Sequence, residues 1–162
     1  MIETITLRMM FQMLLAAILG MVIGVEREHR RRPAGIRTHM LVALGSALFT
    51  ILSVEGLSYL GVHNYDPSRI AGQVVVGIGF IGAGLIFFRD DKLQGLTTAA
   101  GIWITAAIGM AIGFQCYVLA IFTTLLTIFI LWCLRALEAK VPKIPKPNTD
   151  DHIDSFSKSN SF

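Results

Sequence analysis

The chain alternates long apolar runs with short clusters of charge, and the apolar runs have membrane-spanning length. A helix rises ~1.5 Å per residue, so roughly 20 apolar residues cross the ~30 Å hydrocarbon core of a bilayer. Five runs qualify: residues 5–25, 40–60, 70–88, 97–113 and 117–137. The last two need separating. As one helix, residues 97–137 would reach roughly 60 Å, twice the membrane thickness. Gly109, Gly113 and Gln115 supply a natural turn between them. The predicted fold is therefore all-α, a polytopic membrane bundle of five transmembrane helices. Beyond residue 140 the pattern changes, because Pro142, Pro145 and Pro147 break any helix and the Ser/Asn-rich finish buries nothing. Residues 1–140 read as a transmembrane domain and 141–162 as a flexible cytoplasmic tail. No small-residue cleavage site follows the first run, so it reads as a retained helix.

Composition agrees with this. The chain is 54% hydrophobic and 15% charged, against about 25% charged in a soluble domain. The basic residues then set an orientation, since cytoplasmic loops are enriched in Lys and Arg. Twelve of the 14 basic residues fall after the first, third and fifth runs or, for Arg135, in the last turn of the fifth, leaving only Arg8 and Arg69 for the other side. That places the N-terminus outside and the C-terminus in the cytoplasm, and a four-helix reading would put the basic tail on the wrong side. The net charge of +3 thus speaks for topology, with no nucleic acid as a partner. Cys116 and Cys133 lie roughly 25 Å apart on one helix, too far to bridge.

Helices in lipid associate through small residues that let backbones approach. The first run carries Gln12, Ala16, Gly20 and Gly24 on one stripe, and the fourth carries Thr98, Thr105 and Gly109 on one face. The third is thinned on two faces, with Gly72 and Gly79 on one and Gln73, Gly77 and Gly84 on the other; Gly82 adds to the count. A helix thinned twice is expected to be the central one. Gln73 either shares in this packing or borders a polar pathway. Residues 77–82 match the spacing of a dinucleotide-binding loop, but that loop works through free N–H groups at a helix start, and these lie inside an apolar helix. No cofactor is expected.

Charge gathers where the first run ends. Glu26, Arg27 and Glu28 lead through Pro33 and Gly35 into Arg37, Thr38 and His39 at the start of the second. One reading is a topology-setting basic loop at anionic headgroups; the other is a fixed polar junction that docks a partner or gates an ion path. In the second, an acid from the first helix should meet Arg37, and Glu26, the deeper one, is the expected partner. Across the membrane, Asp66 reads as a cap for the third helix, with an Asp66–Arg69 pair or a cation site as alternatives. Glu55 is the one acid that could lie within a span, near its outer end. There is no catalytic triad, paired carboxylate or His/Cys cluster in the sequence, so an enzyme is not expected.

Several blocks in order carry a resemblance. They are Gly20 and Gly24 with Glu26-Arg27-Glu28, then Ala34-Gly35-Ile36-Arg37-Thr38-His39 and Leu44-Gly45-Ser46. Asp66-Pro67 with Arg69 and Gln73, the glycine run from Gly77 to Gly84, and Gly95-Leu96-Thr97-Thr98 follow. Over residues 10–137 the chain resembles the MgtC/SapB family of multi-pass bacterial inner-membrane proteins. The resemblance implies a part in magnesium homeostasis, stress adaptation and, in some members, survival of pathogens in host cells. It also implies regulation of other membrane proteins, including ATP synthase and transport systems. Longer members carry a soluble C-terminal domain of the ACT type; this chain resembles the short form without it. Two functions compete: a non-enzymatic regulator working through helix contacts, in homo-oligomers or with other membrane proteins, or an oligomeric transporter or channel for magnesium or protons.

Overall fold

The computed structural model describes residues 2–56, 66–89 and 92–138. The segment around His63, the acidic pair Asp90 and Asp91, and the expected tail lie outside them. Five α-helices are described: α1 (Ile2–His29), α2 (Ile36–Ile51), α3 (Ser68–Ala83), α4 (Leu96–Gly113) and α5 (Tyr117–Glu138). A π-helical turn, Leu52–Gly56, prolongs α2. The strands β1 (Phe87–Arg89) and β2 (Lys92–Gln94) form a small antiparallel hairpin with Phe88 opposite Leu93. The chain divides into one compact unit through Leu131 and a second from Trp132, of which the end of α5 is described.

Helix ends follow local chemistry. Arg31 takes the left-handed conformation (φ 53°) after α1. Its N–H bonds Glu28 O at 2.9 Å and the Arg32 N–H bonds Arg27 O at 3.0 Å, the reciprocal pair of a Schellman cap. Gln115 (φ 63°) ends α4 the same way, with Cys116 N–H on Ala111 O at 2.8 Å. The turn between the fourth and fifth helices thus hinges on Gln115, while Gly113 is buried inside. Helix α3 stops at Ala83, and Phe87 and Phe88, expected as its last turn, are strand. The hairpin closes at Gly95 (φ +92°), where a side chain would strike the Leu85 carbonyl.

Burial runs opposite to a soluble protein. Phe80, Val118, Phe122 and Leu125 are exposed, while Gln12, His39, Thr50 and Thr105 are fully buried. In water this would be costly; in lipid the outer apolar surface is solvated and the interior is held by close packing and polar contacts. The molecule is an all-α membrane helix bundle. The segments Glu3–His29, Ile36–Gly56 and Leu96–Gly113 are long and apolar enough to cross a bilayer, whereas Ser68–Ala83 and Tyr117–Cys133 are shorter.

The centre of the bundle is α2, and this corrects the expectation for the third helix. A Cβ at Gly20 would sit 2.6 Å from the His39 carbonyl, and one at Gly24 2.5 Å from Ile36 Cα. On the other flank, Gly109 meets the Ala43 carbonyl and a Cβ at Gly113 would lie 2.5 Å from Thr50 Cβ. Helix α2 is therefore clasped between α1 and α4, with Ala43, Ser46, Ala47 and Thr50 buried along it. In α3 only Ala71, Ile78 and Gly82 are buried. A Cβ at Gly72, Gly77 or Gly79 would meet nothing within 4 Å, and Gly82 makes ordinary contact with Ala99 of α4. Helix α3 lies at the side. It packs on α4 through Ile78 and Gly82, near Ile102, Ala106 and Ala99, and the faces that carry Gly72, Gly77 and Gly79 stay open.

Candidate functional site

The polar groups collect at the turn from α1 to α2. Gly35 leaves room for Glu28, whose Oε2 accepts the Ile36 N–H at 2.9 Å and so caps α2. A Cβ on residue 35 would come within 2.7 Å of that oxygen. Glu26 Oε2 accepts from Arg27 Nε at 2.6 Å, and Glu26 Oε1 lies 3.5 Å from Arg30 Nε. The Arg27 side chain is only 4% exposed. Among the described residues no ion pair joins Glu26 to Arg37, which is exposed. The expected cross-helix pair is thus replaced by a local one. Arg27 and Arg30, close to Glu26 in the chain, reach it with less ordering of side chains than a residue on the next helix. Thr38 is half-buried beside Arg37.

Deeper in, His39 is fully buried. Its Nδ1 lies 2.8 Å from Thr105 Oγ1, and that hydroxyl donates its one proton to Gly101 O at 2.7 Å. Nδ1 must therefore be the donor to Thr105, which leaves Nε2 as an acceptor if the ring is neutral. Among the described residues Nε2 has no hydrogen-bond partner, nor has Arg27 Nη1, and Arg30 Nε and Glu26 Oε1 have only their mutual ion pair at 3.5 Å. A buried region with this many open donors and acceptors at one helix junction is uncommon, since buried polar groups are normally satisfied. Thr98, also buried, starts the same helix that carries Thr105. Arg27 burial and the His39–Thr105 bond had only a weak sequence signal: polar side chains standing on the same helical stripes as Gly20, Gly24 and Gly109.

The opposite end is held differently. Gln12 Nε2 donates to the Ile112 and Gly113 carbonyls at 2.8 and 3.2 Å, sharing the first with the Gln115 N–H of the α4 cap. Arg8 pairs with Glu55, and the Ser53 hydroxyl donates to Pro67 O. Asp66 Oδ1 accepts the Ser68 N–H at 2.9 Å. Hydrogen bonds from the Ser68 side chain and backbone hold the Asp66 carboxyl below its ordinary range. Arg69 bonds the Asp66 carbonyl through its backbone N–H at 3.3 Å. Gln73 is exposed, on the wall of a groove between α2 and α3. Among the described residues no three His, Cys, Asp or Glu side chains converge as a metal site. Residues 77–82 lie within α3, and Gly84 forms its C-terminal cap.

Known proteins place this arrangement. The sequence pattern described as the MgtC family matches residues 13–140. YhiD of Escherichia coli K12, named as a candidate magnesium transporter, is 49% identical over 132 residues, covering 78% of this chain and 60% of YhiD. SrpB of Synechococcus elongatus is 47% identical over 131 residues, covering 73% of this chain and 71% of SrpB. Protein MgtC of Brucella abortus is 47% identical over 100 residues, covering 60% of this chain and 39% of that protein. No solved structure matches the chain. The chain spans about 60% of the length of YhiD. With five helices laid out in a bundle and the match running through all of them, the chain belongs to the MgtC family.

Proposed function

We propose that the chain is a non-enzymatic regulator in the bacterial inner membrane that serves magnesium homeostasis through helix contacts with other membrane proteins or with copies of itself. The observation that carries this reading is α3, whose Gly72 and Gly79 stand open on an exposed surface. Exposed glycines on a membrane helix let a second helix approach closely. The bundle interior argues the same way, because α2 is clasped tightly, Gln12 of α1 is bonded to α4 and Arg8 of α1 is paired with Glu55 at the end of α2. A cysteine at Gly79 should crosslink to a neighbour in native membranes, and purified protein in liposomes should pass no magnesium. Saturable magnesium flux without any crosslink would overturn the proposal.

The second reading, an oligomeric cation transporter, is supported by the name of YhiD. Ion paths through membranes use buried ionisable groups, and Arg27 and Glu26 are such groups. The flux measurement separates the two. The orientation proposed with either reading has the N-terminus outside, on the placement of twelve of 14 basic residues. A cysteine at Arg31 should resist a membrane-impermeant reagent applied outside, and one at His63 should react; the reverse pattern reverses the topology.

A further inference from the structure

Between α2 and α3 runs a groove of about 690 Å³, open along its side. We propose that it holds one acyl chain of an anionic phospholipid, whose phosphate sits on Arg37. Its walls include Leu41, Phe49, Val74 and Ile81. Its floor is open because Gly45 and Gly77 both line it, and a Cβ added at either would meet nothing within 4 Å. The lining of α2 runs from Arg37 to Phe49, roughly 18 Å of helix, against about 15 Å for the hydrocarbon of one leaflet. The groove therefore has the length and the apolar character of one lipid tail.

The charge at its end selects the headgroup. The Ser53–Pro67 hydrogen bond ties the end of α2 to the start of α3, so Arg37 stands at the other end of the groove, where α2 begins. Arg37 and Thr38 both line it there. Arg37 forms no ion pair among the described residues, and its planar fork matches a phosphate. The nearby acids are engaged: Glu26 with Arg27 and Arg30, and Glu28 with the Ile36 N–H. Among the described residues each acid near Arg37 already has a hydrogen-bond or ion-pair partner, which leaves less to attract the cationic part of a zwitterionic lipid. The balance favours a headgroup of net negative charge.

Native mass spectrometry of the purified chain tests this, with phosphatidylglycerol and phosphatidylcholine of matched chains supplied in equal amounts. The expected result is about a five-fold preference for phosphatidylglycerol, the ratio set by one basic residue at a membrane surface. Arg37→Gln should bring the ratio close to one, and Arg31→Gln, on the exposed loop, should leave it unchanged. Gly45→Leu and Gly77→Leu should fill the groove and lose the lipid, with little change in melting temperature because neither meets its own chain. Parity in the unaltered chain, a preference that survives Arg37→Gln, or retention in both leucine variants would overturn the proposal. So would displacement by inorganic phosphate alone, or a dimer that Gly45→Leu abolishes, which would assign the groove to a second copy. If the leucine variants melt early, the Arg37→Gln and Arg31→Gln comparison decides.

Discussion

Gly109→Leu is expected to leave no stably folded bundle, whereas Gly79→Leu is expected to melt like the unaltered chain. The difference is one of backbone. A side chain at residue 109 runs into the Ala43 carbonyl and the Ser46 Cβ, and a carbonyl within a helix cannot turn aside as a flexible side chain can. Helices α2 and α4 must part, and the contacts of Gly113 with Thr50 and of Thr105 with His39 loosen with them. Overpacking of a tight interior costs about 1–3 kcal/mol and more where backbone is struck, so about 3 kcal/mol is the least expected. At residue 79 nothing lies within 4 Å, and an exposed substitution stays within about 0.5 kcal/mol. Thermal melting in detergent, read by circular dichroism, checks both. Equal loss in the two variants would mean that α3 is packed in the interior after all.

Glu26→Ala is expected to be the most damaging change at the polar junction. Arg27 is 4% exposed, and Glu26 is its one ion-pair partner among the described residues. Removing one member of a buried pair leaves a charge that costs about 3–5 kcal/mol, and the lower end is expected because Glu26 keeps some access to water. Arg27→Ala should cost a similar amount. The double change should cost clearly less than the sum of the two, which is the signature of a direct pair. Arg37→Ala, at an exposed residue outside any ion pair, should stay within about 0.5 kcal/mol. Denaturant titration in mixed micelles measures all four. If Arg37→Ala proves as costly as Glu26→Ala, the junction joins the two helices through Arg37.

These two expectations differ in how far the residues alone reach. Residues 77–82 and 109–113 look alike in sequence, each with glycines that thin a helix. A glycine shows that a helix can be approached, and which neighbour approaches is decided by the other helices. In α1 and α4 the glycines Gly20, Gly24, Gly109 and Gly113 face α2; in α3 Gly72, Gly77 and Gly79 face outward. The signal for α2 was present in Ala43, Ser46, Ala47 and Thr50, spaced by three and four residues, but it lacks glycine and reads as an ordinary apolar run. Glu26 shows the same limit for charge. Its sequence neighbours and Arg37 were both eligible partners, and the choice turned on side-chain reach across a turn whose shape depends on Gly35, Glu28 and the left-handed Arg31.

What the residues determine by themselves is whatever depends on one segment and its solvent. Length and polarity of each run give five apolar helices, three of them long enough to cross a bilayer, because backbone groups in lipid must be satisfied within the segment. The start of α3 at Asp66 is likewise local, a carboxylate accepting an N–H two residues on. What only the tertiary structure decides is whatever depends on two segments meeting. The early end of α3 belongs here, since Phe87 and Phe88 leave the helical pattern to pair with Leu93 and Gln94. So do the centrality of α2, the burial of Arg27 and the bond between His39 and Thr105. The hydrophobic driving force that would rank helices by apolar face in water is absent between helices in lipid. Their order is therefore set by close backbone approach and a few polar contacts, which appear only when the helices are side by side.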